Sequence, residues 1–305
     1  MTMRLFITGG SGLLALNWAK ERSATDEIFL GLNERQIKPN AVEIITVNIG
    51  DDVELSDCIE RIAPDVIIHT AAITDVDYCE RNPDLAMHVN RNLASKVAKA
   101  SYHHGCKLIH ISTDHLFQGN KAMLDESAKC QPINMYGQSK WQAELAVIDQ
   151  HPSALILRVN FFGWGPSWRT SFSDWILSNI TATNPITLYQ DVFFTPLYVG
   201  EVINAAHDLL NKDSSGIYHI TSGERISKFD FGIKLVNTFG LDSSLIHAGK
   251  YESEKRIPRP LDMSLSNTKL MRATGLKPFT IDGSIARLKA DNNFAAYFSS
   301  LDYTQ

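Results

Sequence analysis

The sequence predicts an α/β protein: a Rossmann-type doubly wound parallel sheet with a smaller mixed α/β substrate domain. Short apolar runs alternate with segments of helical spacing, which is the pattern of right-handed βαβ units. Within the runs the residues are apolar throughout, as in strands covered on both faces. The first run ends in Gly9-Gly10 and leads directly into a helical pattern, a turn suited to phosphate.

Leu5-Phe6-Ile7 reads as a buried strand and residues 13–21 as the following helix. Residues 27–30 and 42–47 are the next strands. Val53, Ile59 and Ile62 keep a helical spacing that stops at Pro64. Val66-Ile67-Ile68 is another buried strand. Pro83 opens a helix to about residue 104, with Leu85, Val89, Leu93 and Val97 at steps of four. Leu108-Ile109-His110-Ile111 is a strand, and the helix that begins near Tyr136 ends before Pro152. Leu155-Ile156-Leu157 follows as a strand. After about residue 160 the pattern is less regular and richer in aromatics, with helices expected near 172–180, 199–210 and 229–239. Residues 1–160 are therefore assigned to a dinucleotide-binding Rossmann domain. Residues 161–305 form mainly a substrate-binding domain, with some segments returning to the main sheet.

A length of 305 residues allows one large or two ordinary domains. Hydrophobic residues are 44%, charged residues 21% and net charge −5. That balance argues against nucleic acid or an anionic membrane as partner. No apolar run is long enough to span a membrane, and residues 1–7 lack the features of a signal peptide. Cys58, Cys79, Cys106 and Cys130 lie far apart with no CxxC pair, so a disulfide framework and a zinc site are not expected. His103, His104, His110 and His115 have no acidic or cysteine partner at ligand spacing, and no metal is expected. Together these features suggest a cytoplasmic protein and admit a homodimer.

In doubly wound sheets ligands bind beyond the carboxyl ends of the strands. That rule points to Gly9 to Gly12, Asn33, Asn48, Ala71-Ala72, Ser112 to His115 and Asn160-Phe161. Gly9, Gly12 and Ala15 keep the G-x-x-G-x-x-G/A spacing directly after the first strand. Glycine lets the backbone approach a pyrophosphate, and the helix N-terminus at Ser11, Leu13 and Leu14 supplies unpaired N–H groups. At the end of the second strand Glu34 could bond a ribose 2′-hydroxyl, whereas Asn33 with Arg35 could accept a 2′-phosphate. No acid sits plainly at the strand tip, so NADP(H) is favoured slightly over NAD(H).

Tyr136 and Lys140 are i and i+4 at the start of a helix, on one face of it. With "TGGSGLLA", "HTAAITDVDYCERNP", Asn90 in "MHVNRNLA", "ISTDHLFQG", "MYGQSKWQAE" and "RPLDMSLSNTKL", the chain resembles the extended short-chain dehydrogenase/reductase superfamily. Within it the chain is most similar to the dTDP-4-dehydrorhamnose reductase group. The resemblance runs from Thr8 to Leu270. It implies NAD(P)H-dependent reduction of a 4-keto-6-deoxy nucleotide sugar. Tyr136 would give a proton to the carbonyl oxygen, Lys140 would lower the phenol's pKa from its ordinary ~10 and bond the nicotinamide ribose, and Thr113 would hold the carbonyl. Asn90 matches the asparagine of the superfamily's proton relay, and could equally be a polar residue satisfied within its helix. Ala71, Ala72 and Thr74 should line the cofactor, and Asn48-Ile49 should flank adenine.

The same resemblance places Asp114, His115, Phe161 and Arg259 at the substrate, and Phe193-Phe194-Thr195-Pro196 could form another part of the pocket. His115 stands where related dehydratases carry a glutamate, which argues against elimination of water, and where the reductase group commonly carries tyrosine. Phe161 falls where that group usually has a tryptophan. Arg259 in "PRPLD" could pair with a diphosphate or form a surface salt bridge. The aromatics of residues 160–175 could pack the two halves together or wall a sugar-nucleotide pocket. A nucleotide-sugar epimerase holding NAD, and a regulatory subunit like that of methionine adenosyltransferase, are the alternatives.

Overall fold

The computed structural model describes residues 2–33, 35–37, 39, 42–252, 257–291 and 303–304. Seven strands form its central sheet: β1 (Arg4–Thr8), β2 (Glu27–Leu32), β3 (Glu43–Thr46), β4 (Val66–His69), β5 (Lys107–Thr113), β6 (Leu155–Val159) and β7 (Gly216–Ile220). Their order is 3-2-1-4-5-6-7, and every pairing is parallel. Leu5 of β1 lies opposite Ile28 of β2 on one side and Val66 of β4 on the other. Strand order therefore reverses at β1, and the crevice between β1 and β4 is where such a sheet receives a ligand.

Two cores cover the sheet, as the all-apolar runs require. Leu14, Trp18, Leu30, Ile68, Val202 and Phe231 belong to one. Phe6, Leu55, Ile59, Ile67, Val97 and Val147 belong to the other. Helix α1 (Leu13–Arg22) follows the glycine turn. Helix α2 (Asp52–Ile62) starts on Asp51, whose carboxylate accepts the Val53 and Glu54 N–H groups, and it ends on Ala63 in the left-handed region just before Pro64.

The single helix expected from Pro83 to about residue 104 is instead three pieces. A short helix Pro83–Ala86 and a π-helical stretch Met87–Asn92 precede α3 (Leu93–His103). Wider π turns shift the register of everything after them. Leu85, ahead of the π stretch, is exposed and Asn90 within it is buried, while Val89 and Leu93 line a cleft beside the glycine turn. Apolar spacing alone does not report that insertion.

The returning segment expected from the second half is β7, which pairs with β6. Its run is interrupted by Tyr218 and His219, which hides it from a search for apolar strands. Burial of His219 is made tolerable by hydrogen bonding to the Ser266 carbonyl and contact with Arg158. The helix Val199–Asn211 packs on α1, where the Trp18 indole N–H donates to His207 Nε2 at 3.0 Å. The helices Phe172–Thr181 and Lys228–Phe239 build the rest of the second half, starting on Ser171 and Ser227 caps.

Helix α4 (Met135–Gln150) carries the next structural commitment. Glu144 on it makes a two-pronged ion pair with Arg158 of β6, at 2.9 Å and 2.7 Å, and also accepts the Ser112 hydroxyl. Both partners are almost fully buried. Removing one partner of such a pair strands the other charge. Glu144→Ala is therefore expected to cost about 3–5 kcal/mol in urea unfolding; a cost below about 1 kcal/mol would refute this role for the pair.

Candidate active site

At the switch point Gly9 adopts φ +73°, and a Cβ there would lie 2.7 Å from the Ala71 nitrogen. Only glycine fits both constraints. Gly12 starts α1 without a side-chain cap, so the first-turn N–H groups at Leu13 and Leu14 have neither a capping side chain nor an intrahelical acceptor. The Leu13 and Leu14 side chains themselves are buried in the helix packing. A cleft of about 540 Å³ opens here, lined by Gly9, Ser11, Asn33, Arg35, Asn48, Ile49, Ala71, Val89 and Leu93 among others. These residues fit a dinucleotide's adenosine half and pyrophosphate: a glycine-framed anion site beside apolar walls, with the Arg35 cation at its rim. Glu34 lies outside the described residues. Val89 and Leu93 were legible only as a helix face, not as walls of a site.

Residues of the aromatic stretch reach back over this cleft. The Trp168 indole N–H donates to the Ser11 carbonyl at 3.0 Å, and the Arg35 guanidinium lies 5.7 Å from the Trp168 ring centroid. Arg169 donates to the Thr74 hydroxyl, so Thr74 is held by the second half of the chain rather than left free to line the cleft. Ala72 is half-buried in the same loop.

The carboxyl end of β5 delivers Thr113, and α4 delivers Tyr136 and Lys140. Asn134 sets the start of α4: its side chain accepts the Gly137 N–H at 2.9 Å and donates to the Pro258 carbonyl at 3.0 Å. Gly137 permits the close approach, since a Cβ there would stand 2.3 Å from the His115 carbonyl oxygen. Sequence reasoning passed over Gly137, although a glycine in the first turn of a helix is the signal of such a contact. Thr113, Tyr136 and Lys140 are all buried. Thr113 lies near enough to the Tyr136 hydroxyl to pull its pKa down, which makes neighbours of the two groups expected to meet a carbonyl oxygen.

The electrostatics depart from one expectation. Burial pushes the Tyr136 phenol above its ordinary value, against the opposing pulls of Thr113 and Arg169. Lys140 does not hold it down: its ammonium donates to the Ile111 carbonyl at 2.6 Å. Burial lowers Lys140 itself to about 8, with Glu144 pulling the other way. Beneath it, His69 and His110 stack with ring centroids 5.5 Å apart, and the Thr8 hydroxyl lies 2.7 Å from His69 Nδ1. Burial drives His69 down to about 3 and His110 well below its ordinary range. Both rings are therefore neutral, and Lys140 is the one cation of this trio.

Asn90 uses its whole amide. Its oxygen accepts the Ile73 N–H at 2.7 Å, and its nitrogen donates to the Ile73 carbonyl at 3.0 Å and to Ser139 Oγ at 2.9 Å. Ser139 in turn donates to the Tyr136 carbonyl. The π stretch thus braces the 71–74 loop against the first turn of α4.

On the substrate side, the His115 ring meets the Tyr136 ring edge-on at 5.4 Å, and burial keeps that imidazole below its ordinary value. Asp114 is buried and accepts the Asn160 amide. Phe161 is half-buried in a short ladder opposite Leu197. Phe193 carries the Arg225 guanidinium on its face at 3.5 Å. Arg259 pairs with Asp77 at 2.9 Å on the surface, yet its charge acts on His115. Lys228, which no motif marked, also acts on His115. All four cysteines are buried and free. Among the described residues no group of three or more His, Cys, Asp or Glu could hold a metal ion, and no helix is long and apolar enough to cross a membrane.

A site of this kind, opening at the carboxyl edge of a parallel sheet, defines an oxidoreductase of the extended short-chain dehydrogenase/reductase class, which works with a nicotinamide cofactor. The chain belongs to the RmlD substrate binding domain family, whose profile matches residues 3–292. It is 30% identical over 294 residues to the "Probable low-salt glycan biosynthesis reductase Agl14" of Haloferax volcanii, covering 94% of this chain and 98% of that one. It is 28% identical over 276 residues to methionine adenosyltransferase 2 subunit beta of Xenopus laevis, covering 88% and 81%. Its fold matches the crystal structure of dTDP-4-dehydrorhamnose reductase from Bacillus anthracis in complex with NADP, with TM-score 0.84 and 25% identity over 95% of this chain and 100% of that one.

Proposed function

We propose that the protein is an NAD(P)H-dependent reductase of a 4-keto-6-deoxy nucleotide sugar. The observation that carries this reading is the convergence of buried Thr113, Tyr136 and Lys140 at the end of β5 and the start of α4, in a sheet whose switch point holds the glycine-framed cleft. A carbonyl oxygen set between the Thr113 and Tyr136 hydroxyls receives two donors, and in reduction that oxygen gathers negative charge. A phenol pushed upward by burial stays protonated at neutral pH, which is the form a proton donor needs. The bound nicotinamide supplies the hydride. Gly9, Ser11, Gly12 and the first turn of α1 hold its pyrophosphate, Ala71 and Ala72 flank it, and Asn48 and Ile49 stand at adenine. Lys140 orients the nicotinamide ribose, and Asn90 positions Tyr136 through Ser139. The edge-on His115 ring takes the place of the glutamate that elimination of water would require. Turnover of a 4-keto-6-deoxy sugar nucleotide in a panel of keto-sugar nucleotides, read as loss of NADPH or NADH absorbance, is the expected result. A protein that binds coenzyme yet reduces none of the panel would overturn the reading.

Asn33 and Arg35 at the cleft rim support NADPH as the preferred coenzyme. Arg35→Ala is expected to weaken NADPH about tenfold, equivalent to ~1.4 kcal/mol, and to leave NADH unchanged. Titration of both coenzymes against both proteins checks this; equal weakening would sink the assignment.

A second reading is a regulatory subunit, favoured by the likeness to methionine adenosyltransferase 2 subunit beta. Co-purification with a larger enzyme, together with silence across the sugar panel, would favour it. The intact Thr113, Tyr136 and Lys140 set supports catalysis instead.

A further inference from the structure

We infer that Lys228 is a substrate-binding residue, an anion receptor that with Arg259 takes an anionic oxygen of the sugar nucleotide. The inference rests on the nucleotide-sugar reading above and adds to it a residue and a contact. Lys228 is the first residue of the helix Lys228–Phe239, fixed there by the Ser227 cap on Asp230 and by its own N–H bond to the Val192 carbonyl at 2.9 Å. A cation in a first turn opposes the helix dipole, so the position is unfavourable on local grounds.

Its ammonium lies 3.7 Å from the Phe194 ring centroid and 4.6 Å from that of Phe172. Those two rings pack on each other and on Phe231, and so form a fixed wall. Among the described residues no carboxylate pairs with this ammonium, and burial lowers its pKa to about 8. The charged neighbours that it feels are Asp114, which favours its charge, and Arg259, which opposes it. Asp114 is already engaged by the Asn160 amide and Arg259 by Asp77. His115, on which Lys228 also acts, packs on Tyr136.

Lys228 therefore stands within electrostatic reach of the groups that follow Thr113. A half-buried cation laid on aromatic faces, without an ion pair among the described residues, is poised for an incoming anion. A sugar nucleotide brings one in its diphosphate, and a sugar acid brings another in its ring carboxylate.

The test uses the full-length protein saturated with NADP⁺, with binding followed by calorimetry. The probes are dTDP and UDP, and the pair UDP-glucose and UDP-glucuronate. Lys228→Met is expected to weaken dTDP or UDP by tenfold or more, Lys228→Arg to restore most of the affinity, and the coenzyme Kd to stay unchanged. If the receptor serves a sugar carboxylate instead, dTDP and UDP are unaffected and Lys228→Met abolishes only a preference for UDP-glucuronate over UDP-glucose, an outcome that would also replace the 6-deoxy sugar proposed above. Unchanged binding of all four probes by Lys228→Met, with wild type binding at least one of them, would overturn the inference while leaving the reductase reading intact. Failure of the wild type to bind any probe would overturn the nucleotide-sugar reading itself.

Discussion

Replacing Tyr136 by phenylalanine is expected to lower kcat for keto-sugar reduction by roughly 10²–10⁴, the usual contribution of a positioned general acid. Coenzyme affinity should hardly change. The substitution removes only the hydroxyl. The ring keeps its edge-on contact with His115, the Asn134 cap on Gly137 is untouched, and Thr113 keeps its own contact with the His115 N–H at 3.3 Å. A fall in kcat with little change in KM, and with unaltered coenzyme titration, would identify the hydroxyl with the proton transfer. Undiminished turnover would remove Tyr136 from the reaction. The pH profile adds an independent check. The phenol lies above its ordinary value, so it stays protonated throughout the neutral range. Any fall in kcat/KM setting in near pH 8 then belongs not to the phenol but to Lys140 or Lys228, each of which burial brings down to about 8.

The sheet and the glycine turn were legible because burial on both faces leaves a direct imprint: runs such as Val66-Ile67-Ile68 and Leu155-Ile156-Leu157 have no polar side to show. Strand β7 was not, because its interior position is filled by His219, whose buried ring is satisfied by distant partners. Thr113, Tyr136 and Lys140 were legible because each is fixed to the end of a strand or the start of a helix. The expected influence of Lys140 on the phenol was misjudged, since spacing on a helix gives proximity but not where an ammonium donates its hydrogens. Val89 and Leu93 were legible only as a helix face, Trp168 only as part of an aromatic stretch and Lys228 not at all, for a shared reason. Each reaches the site from an element whose register or packing is set by tertiary contacts: the π stretch for the first two, the strap to Ser11 for the third, and the aromatic wall for the last.

Lys140→Met is expected to make the protein more stable at pH 7 while abolishing efficient turnover. The lysine falls from an ordinary 10.5 to about 8 in the folded chain because burial penalises its charge. At about 1.4 kcal/mol per pH unit, that corresponds to roughly 3 kcal/mol of destabilisation while the group is charged in both states. Methionine has a similar length and no charge. Its gain is reduced by about 1 kcal/mol for the lost hydrogen bond to Ile111, which leaves a net gain of about 2 kcal/mol. The sign follows from proton binding. Below pH 8 folded and unfolded lysine are both protonated, and the penalty is fully present. Between about 8 and 10.5 the folded lysine has lost its proton and the unfolded one has not, so wild-type stability climbs with pH and the advantage of the methionine variant shrinks. Urea unfolding of both proteins at pH 7 and pH 9.5 measures this directly. A methionine variant less stable than wild type at pH 7 would show that the ammonium is better satisfied than its one bond to Ile111 implies. Stability withheld at this position is what a site gives up to keep a buried cation, and two neutral imidazoles lie beneath this one; the proposed contact with the coenzyme ribose would account for keeping it.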